Sequence, residues 1–276
     1  VNGRPLDSTT NFFSPFENTA NRQTILRINN KPTREGSRLV TVIPVASDTG
    51  LRTRAWVEDN RRLVDKLSGG RLAYVWLPNT GMPGYTSFIR YFYAQQDKQG
   101  TIVDVRYNQG GFVGDFIINQ LERKPLGYFT IRDGEPFTSP IAGVFGPTVM
   151  LANETSGSGG DALPFFFKER KLGPLIGRRT WGGLVGTTGV PPTIDGGGIT
   201  APALAFYNLD GKWDVENVGV TPDIEVENTP SEVAKRHDTQ LERAITEGVK
   251  LLEANPVKRM PRPASIDRVS KPKGGK

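Results

Sequence analysis

A chain of 276 residues can bury one domain of about 200 residues with extensions. No stretch approaches the roughly 20 apolar residues of a membrane span, and the lack of cysteine excludes disulfides, thiolate metal sites and a cysteine nucleophile. The net charge of +6 would suit nucleic acid, but residues 256–276 carry seven basic residues against one acid and so account for all of it. No aromatic residue interleaves with those charges, so the segment reads as a basic, flexible tail and nucleic acid is set aside as a partner.

Along the chain, residues 23–28 and 37–43 each have the pattern of a strand, with a turn rich in Asn, Lys and Pro between them. Residues 1–46 form a separate unit, short of core by itself, whose first six residues resemble the corner of a larger hairpin. Residues 54–67 place Trp56, Val57, Leu63, Val64 and Leu67 at helical spacing and stop at Ser68-Gly69-Gly70. A strand-then-helix rhythm follows. Strands are predicted over 71–77, 101–106, 127–132 and 148–151, and helices over 85–95, 112–121 and 160–170. This alternation predicts an α/β domain with a mainly parallel sheet over residues 47–255. Residues 174–226 read as Gly-rich and strand-like, and residues 231–254 as a closing helix with Thr229 or Ser231 as its N-cap.

Two turns carry the chemistry. Asn153-Glu-Thr-Ser-Gly-Ser-Gly-Gly-Asp161 lies between a strand and a helix. A serine at such a turn has an exposed hydroxyl with helix-start amides beside it, and glycines let a substrate backbone come close. A phosphate-binding or purely structural turn has the same composition, although the lysine of a Walker-type loop is missing. Asn108-Gln-Gly-Gly-Phe112 follows another strand. Adjacent parallel strands would bring both turns to one sheet edge, one presenting a nucleophile and the other an oxyanion donor.

Asp104-Val-Arg-Tyr-Asn-Gln-Gly-Gly-Phe112 and Asn153-Glu-Thr-Ser-Gly-Ser-Gly-Gly-Asp161 resemble the paired motifs of the tail-specific and tricorn-type serine peptidases. Gly146-Pro-Thr-Val-Met-Leu-Ala-Asn153 resembles the strand that leads to the family nucleophile, and Val218-Gly-Val-Thr-Pro-Asp223 the family's Gly-x-x-Pro-Asp ending. The resemblance covers residues 54–253. It implies a crotonase/ClpP-like sheet of ββα units, preceded by part of a PDZ domain over the first 45 residues or so. It further implies hydrolysis of short or unfolded peptides, a homo-oligomer in the full-length protein, and no cofactor, metal or membrane. The compartment stays open between the cytoplasm, which we favour, and an exported location.

Carried over residue by residue, the resemblance makes Ser158 the nucleophile, with Ser156 as its rival. Gly159 and Gly111 supply the oxyanion amides. Glu216 is the acid of a Ser/His/Ser/Glu tetrad, and Asp161 is structural, capping the helix start. Tail-specific members carry a lysine about 25 residues after the serine, but that position here is Gly183; Lys168 and Lys171 read as surface charges. Asp133 and Glu135 are possible acidic residues of a pocket for a basic substrate side chain.

One element is missing. The single histidine, His237, sits among charged residues on the predicted C-terminal helix and reads as a surface group. A serine needs a base within hydrogen-bond reach, so the expectation is a fragment that lacks an upstream Ser-His pair and is weakly active or inactive alone. The competing expectation is a non-catalytic peptide-binding module that keeps the fold. An acyl-CoA enzyme on the same fold would have no use for a serine nucleophile.

Overall fold

The computed structural model describes residues 1–187 and 189–265, and most of the predicted basic tail lies outside them. The chain divides into two compact units, Val1–Glu58 and Asp59–Lys276. The first holds a 3₁₀ turn at Ser14–Phe16 and an antiparallel pair, β1 (Thr24–Ile28) and β2 (Arg38–Val42), in register from Thr24↔Val42 to Ile28↔Arg38. Asn2 pairs with the outer edge of β1, donating its backbone N–H to Ile25 O and accepting Ile25 N on its side chain. Ile25, Leu39 and Ile43 are exposed, as expected of a two-stranded ribbon with little to pack against.

Helix α1 (Thr49–Leu67) begins five residues earlier than its apolar periodicity predicts. The second unit then alternates as β3 (Leu72–Trp76), α2 (Met82–Tyr93), β4 (Gly100–Asp104) and α3 (Gly114–Leu121). A small antiparallel hairpin, β5 (Gly127–Phe129) and β6 (Phe137–Ser139), precedes β7 (Thr148–Ala152), α4 (Gly159–Glu169) and β8 (Leu175–Gly177). The order ends with β9 (Ile224–Glu225), α5 (Pro230–Ala234) and α6 (Thr239–Ala254).

Five strands form one sheet in the order β3-β4-β7-β8-β9, with every neighbouring pair parallel. The expected α/β domain with a parallel sheet is therefore present. Its central strands are apolar on both faces because helices cover both. Ala73, Val75, Val103 and Met150 face a core built with Phe88 and Phe92 of α2, Ile117 of α3, and Leu163 and Phe167 of α4. The alternate positions, including Leu72 and Val149, face α6, where a Cβ on Gly248 would come within 2.8 Å of Leu72. No helix among the described residues is long and apolar enough to cross a membrane.

Two expectations need correction. Among the described residues of 174–226, only β8 and β9 are strands; the others are irregular, tied by the single bridges Gly186↔Leu204 and Tyr207↔Trp213. The predicted closing helix is two helices, broken at Arg236, which has a φ of +64°. The break is explained by capping: Thr229 caps α5 through Glu232 N, and Asp238 caps α6 through Leu241 N. Asp238 also meets Arg106 at 2.8 Å, so it serves the core as well as the helix.

Candidate active site

In a parallel sheet all strand C-termini share one edge. Here the turns after β3, β4 and β7 pack against one another there. In the first turn, the Asn79 side chain accepts Gly81 N and Gly84 N at 3.0 Å and so starts α2. Thr80 brackets the second turn, donating its N–H to Gly110 O (2.9 Å) and accepting Val113 N (2.8 Å). The second turn is braced internally by Asn108, whose side chain reaches Leu77 O and Gly110 N and whose carbonyl receives Gly157 N from the third turn.

Ser158 is the N-cap of α4, at φ 56° and ψ −118°. That backbone conformation matches the first central position of a type II′ turn, which normally calls for glycine. For a serine it stores about 1–3 kcal/mol of strain. Among the described residues its hydroxyl makes no hydrogen bond. The glycines beside it are sterically obligatory: a Cβ on Gly110 would lie 2.7 Å from Ser158 Cβ. One on Gly159 would collide with Thr80 Oγ1 and Gly111 O and fall 2.7 Å from Gly111 N. The Gly111 and Gly159 N–H groups donate to no protein acceptor among the described residues. The Gly159 amide at the start of α4 and the Gly111 amide of the neighbouring turn, beside the Ser158 hydroxyl, form a corner able to stabilise an anion.

Ser156, the rival, is placed differently. It is fully buried, donates its hydroxyl to Val105 O at 2.9 Å and accepts Asn153 N at 3.2 Å. It braces the turn from inside.

A cavity of about 300 Å³ opens beside Ser158, with Gly111 and Gly159 in its lining. Its wall is apolar, formed by Phe166 of α4 and by Leu184, Leu204 and Phe206 of the irregular segment, with Asp115 as the one carboxylate. Asp133 and Glu135 are exposed in the β5–β6 connection and do not line it.

The carboxylate of Glu216 accepts Leu184 N at 2.6 Å and Val185 N at 2.7 Å, both on Oε2. It is aimed by a distorted backbone. Val215 has φ +70° and closes a γ-turn through Glu216 N to Asp214 O, and Asn217 has φ +60°. A β-branched residue at positive φ is an outlier that the surrounding packing must hold, and Val215 is 1% exposed in the core. Asp161, also buried, accepts Gly182 N (2.8 Å) and Gly183 N (3.2 Å). Burial pushes its carboxyl above the usual range, against the hydrogen bonds from Thr180, Gly182 and Gly183 that favour the charged form. Asp161 therefore reaches beyond the helix start to which the sequence assigns it. Gly183 O in turn receives Ser158 N at 3.0 Å.

Below the second turn lies a buried ion pair. Arg106 is bound to Asp104 (2.7 Å) and Asp238 (2.8 Å), and Tyr74 donates its hydroxyl to Asp104. Burial alone would raise the Asp238 carboxyl, but the Arg106 guanidinium holds it below its usual value. Lys168 sits ten residues into α4, about 15 Å of helix from Ser158, and binds Asp223 and Thr221 O. Lys171 follows the helix and is exposed. His237 is not on a helix; it lies exposed between α5 and α6 near Glu232 (3.7 Å).

The profile of peptidase family S41 matches residues 71–226, which take in the whole sheet, all three turns and Glu216. The chain belongs to peptidase family S41. The tricorn protease of Thermoplasma acidophilum is 38% identical over 245 residues, covering 89% of this chain and 23% of that relative. Tricorn protease homolog 1 of Streptomyces coelicolor is 38% identical over 81% of this chain and 21% of its own length. A crystal structure of the tricorn protease superposes with a TM-score of 0.83 at 37% identity, over 91% of this chain and 24% of that one. The chain thus spans about a quarter of the length of the tricorn relatives it matches.

Within this S41 domain the structure brings Ser158, Gly159 and Gly111 together on one cavity. Glu216 reaches that cavity through Leu184, and His237 stays away from it. Sequence reasoning missed Thr80, although Asn79-Thr80-Gly81 is a third strand–turn–helix junction of the same kind as the other two. It also missed the cavity wall, whose residues come from a segment with no periodicity.

Proposed function

We propose that the chain supplies the nucleophile and the oxyanion-stabilising groups of a serine peptidase that acts on peptides or unfolded polypeptides. Ser158 Oγ bonds to the scissile carbonyl carbon while its proton passes to a base. The carbonyl oxygen takes up negative charge against the Gly111 and Gly159 N–H groups. Collapse of the tetrahedral intermediate expels the amine, which collects the proton, and water then hydrolyses the acyl-enzyme. The cavity beside Ser158 receives the side chain preceding the scissile bond. The observation that carries this reading is Ser158 itself, a strained residue whose unbonded hydroxyl stands at a helix start beside two unbonded amides.

The base is a histidine outside these 276 residues, oriented by a serine that Glu216 contacts in a Ser/His/Ser/Glu tetrad. The exposure of His237 supports this, as does Glu216 Oε1, which has no partner among the described residues. The sheet is of the crotonase/ClpP-like type over residues 47–255, and residues 1–46 are PDZ-like. The working enzyme is a homo-oligomer, with the cytoplasm as its favoured compartment.

The test is hydrolysis of fluorogenic peptides by this chain and by the longest natural form of the protein, each beside Ser158→Ala. Turnover that disappears with Ser158→Ala supports the proposal. Turnover that survives it overturns the assignment. Peptide binding without turnover in either form would favour the second reading, a binding module that kept the fold, for which the absence of a histidine near Ser158 speaks.

A further inference from the structure

Residues 182–185 form the segment between the nucleophile turn and the cavity wall. Their four consecutive N–H groups all end on two carboxylates: Gly182 and Gly183 on Asp161, and Leu184 and Val185 on Glu216. The segment belongs to no strand, and Gly182 turns it at φ +84°, so the carboxylates take the N–H groups that no sheet ladder satisfies. The docking is reciprocal, because Asn217 N donates back to Gly182 O at 2.7 Å. At its two ends the segment meets the functional groups. Gly183 O holds Ser158 N, and Gly186 pairs with Leu204 on the far wall. Only one Glu216 oxygen takes part.

We infer that Glu216 and Asp161 act as a carboxylate clamp that fixes the cavity wall, so that Glu216 determines which side chain the cavity accepts. This positioning role is separate from proton transfer, because it uses Oε2 and leaves Oε1 for the tetrad. The selectivity part rests on the peptidase reading above; the clamp itself does not. The clamped wall presents Leu184 opposite Phe166 and Phe206, and therefore favours a leucine or phenylalanine side chain over alanine. Release of the wall would remove that contact while leaving the oxyanion amides in place.

The experiment compares wild type with Glu216→Gln, Glu216→Ala and Glu216→Asp. Two quantities are read: hydrogen–deuterium exchange of the Leu184 and Val185 amides, and relative affinity for two peptides that differ only in a C-terminal leucine or alanine, measured by fluorescence polarisation. Glutamine keeps an acceptor oxygen that can receive both N–H groups, so exchange and the leucine-over-alanine ratio stay near wild type while turnover by the longest natural form falls. Alanine removes the acceptor. Exchange then accelerates, and the ratio drops by about tenfold, the discrimination that one or two methylene contacts supply in an apolar pocket. Aspartate is one methylene short of both amides and falls between the two, which keeps the test decisive if the alanine variant does not fold. Slow exchange or an unchanged ratio in Glu216→Ala overturns the proposal, as does a glutamine variant that behaves like alanine. If wild type binds neither peptide, the selectivity claim falls together with the peptidase reading, and exchange still decides the clamp. Turnover that survives Ser158→Ala would instead sink the peptidase reading alone.

Discussion

Two serines separated by one residue compete for the role of nucleophile, and the structure gives them opposite consequences on substitution. Ser156→Ala removes a fully buried hydroxyl that accepts Asn153 N, its one hydrogen bond among the described residues, and donates to Val105 O. Val105 O keeps Asn108 N as a partner, at 3.1 Å, but Asn153 N is orphaned. An unsatisfied buried donor costs about 1–3 kcal/mol, a Tm lower by roughly 2–12 °C at the ~2–4 °C per kcal/mol of a domain this size. Ser158→Ala removes a hydroxyl with no partner among the described residues, and its stability should stay within about 0.5 kcal/mol of wild type. Activity should separate the other way. Loss of Ser158 lowers turnover by about 10⁴-fold or more, whereas Ser156→Ala, which disturbs the turn only from behind, retains it to within about tenfold. Differential scanning fluorimetry on the 276-residue chain and peptide hydrolysis by its longest natural form read the two effects. A Ser156→Ala protein with wild-type Tm and no turnover would refute the placement of both residues.

Ser158→Gly relieves about 1–3 kcal/mol of strain, because glycine adopts φ 56° and ψ −118° freely, against about 0.5–1 kcal/mol for its extra freedom when unfolded, so it should be more stable than wild type by up to about 2 kcal/mol; a melting temperature clearly below wild type would contradict that strain. Gly159→Ala drives a Cβ into Thr80 and the Gly111 backbone. Turnover should fall by about 10²–10³-fold through displacement of an oxyanion amide, with KM little changed, and unimpaired kinetics would remove Gly159 from the hole. Arg106→Leu leaves Asp104 charged and buried, and urea denaturation should register a loss of about 3–5 kcal/mol. The Asp238 carboxyl is held below its usual value, so its stabilisation is present above pH 3.8 and is lost as pH falls through its lowered native value. The stability difference between wild type and Asp238→Asn should therefore shrink on acidification below pH 4, and a gap independent of pH would refute the ion-pair account.

The strands were legible because a parallel sheet covered on both faces leaves continuous apolar runs, such as Leu72–Trp76 and Thr148–Ala152. The turn that carries Ser158 was legible for a similar reason, since glycines crowd where backbone must pass within contact distance. The wall was not. Leu184, Leu204 and Phe206 occupy no regular element, and Leu184 is held by Glu216 through its backbone N–H, a contact with no signature of its own in sequence. The split of the closing helix was equally hidden. Asp238 looks like an ordinary helix-surface acid until Arg106, 132 residues earlier, is known to need it.

The distribution of strain shows how the parts depend on one another. Tyr107, Ser158, Val215 and Asn217 all have positive φ without being glycine; the first two lie in turns that meet on the sheet edge, and the other two flank Glu216, which holds the cavity wall. Relaxed alternatives exist for all four, so the conformations persist only because neighbours over-determine them. Asn153 holds Tyr107 N, Gly183 O holds Ser158 N, the core encloses Val215, and Gly182 O holds Asn217 N. Three of these four restraints pass through residues 153–183, the stretch that also contains Ser158. A substitution that frees only Leu184 and Val185 from Glu216 therefore releases the wall, while Gly183 O and Asp161 still hold the Ser158 turn, and substrate selection should decline before the turn itself gives way.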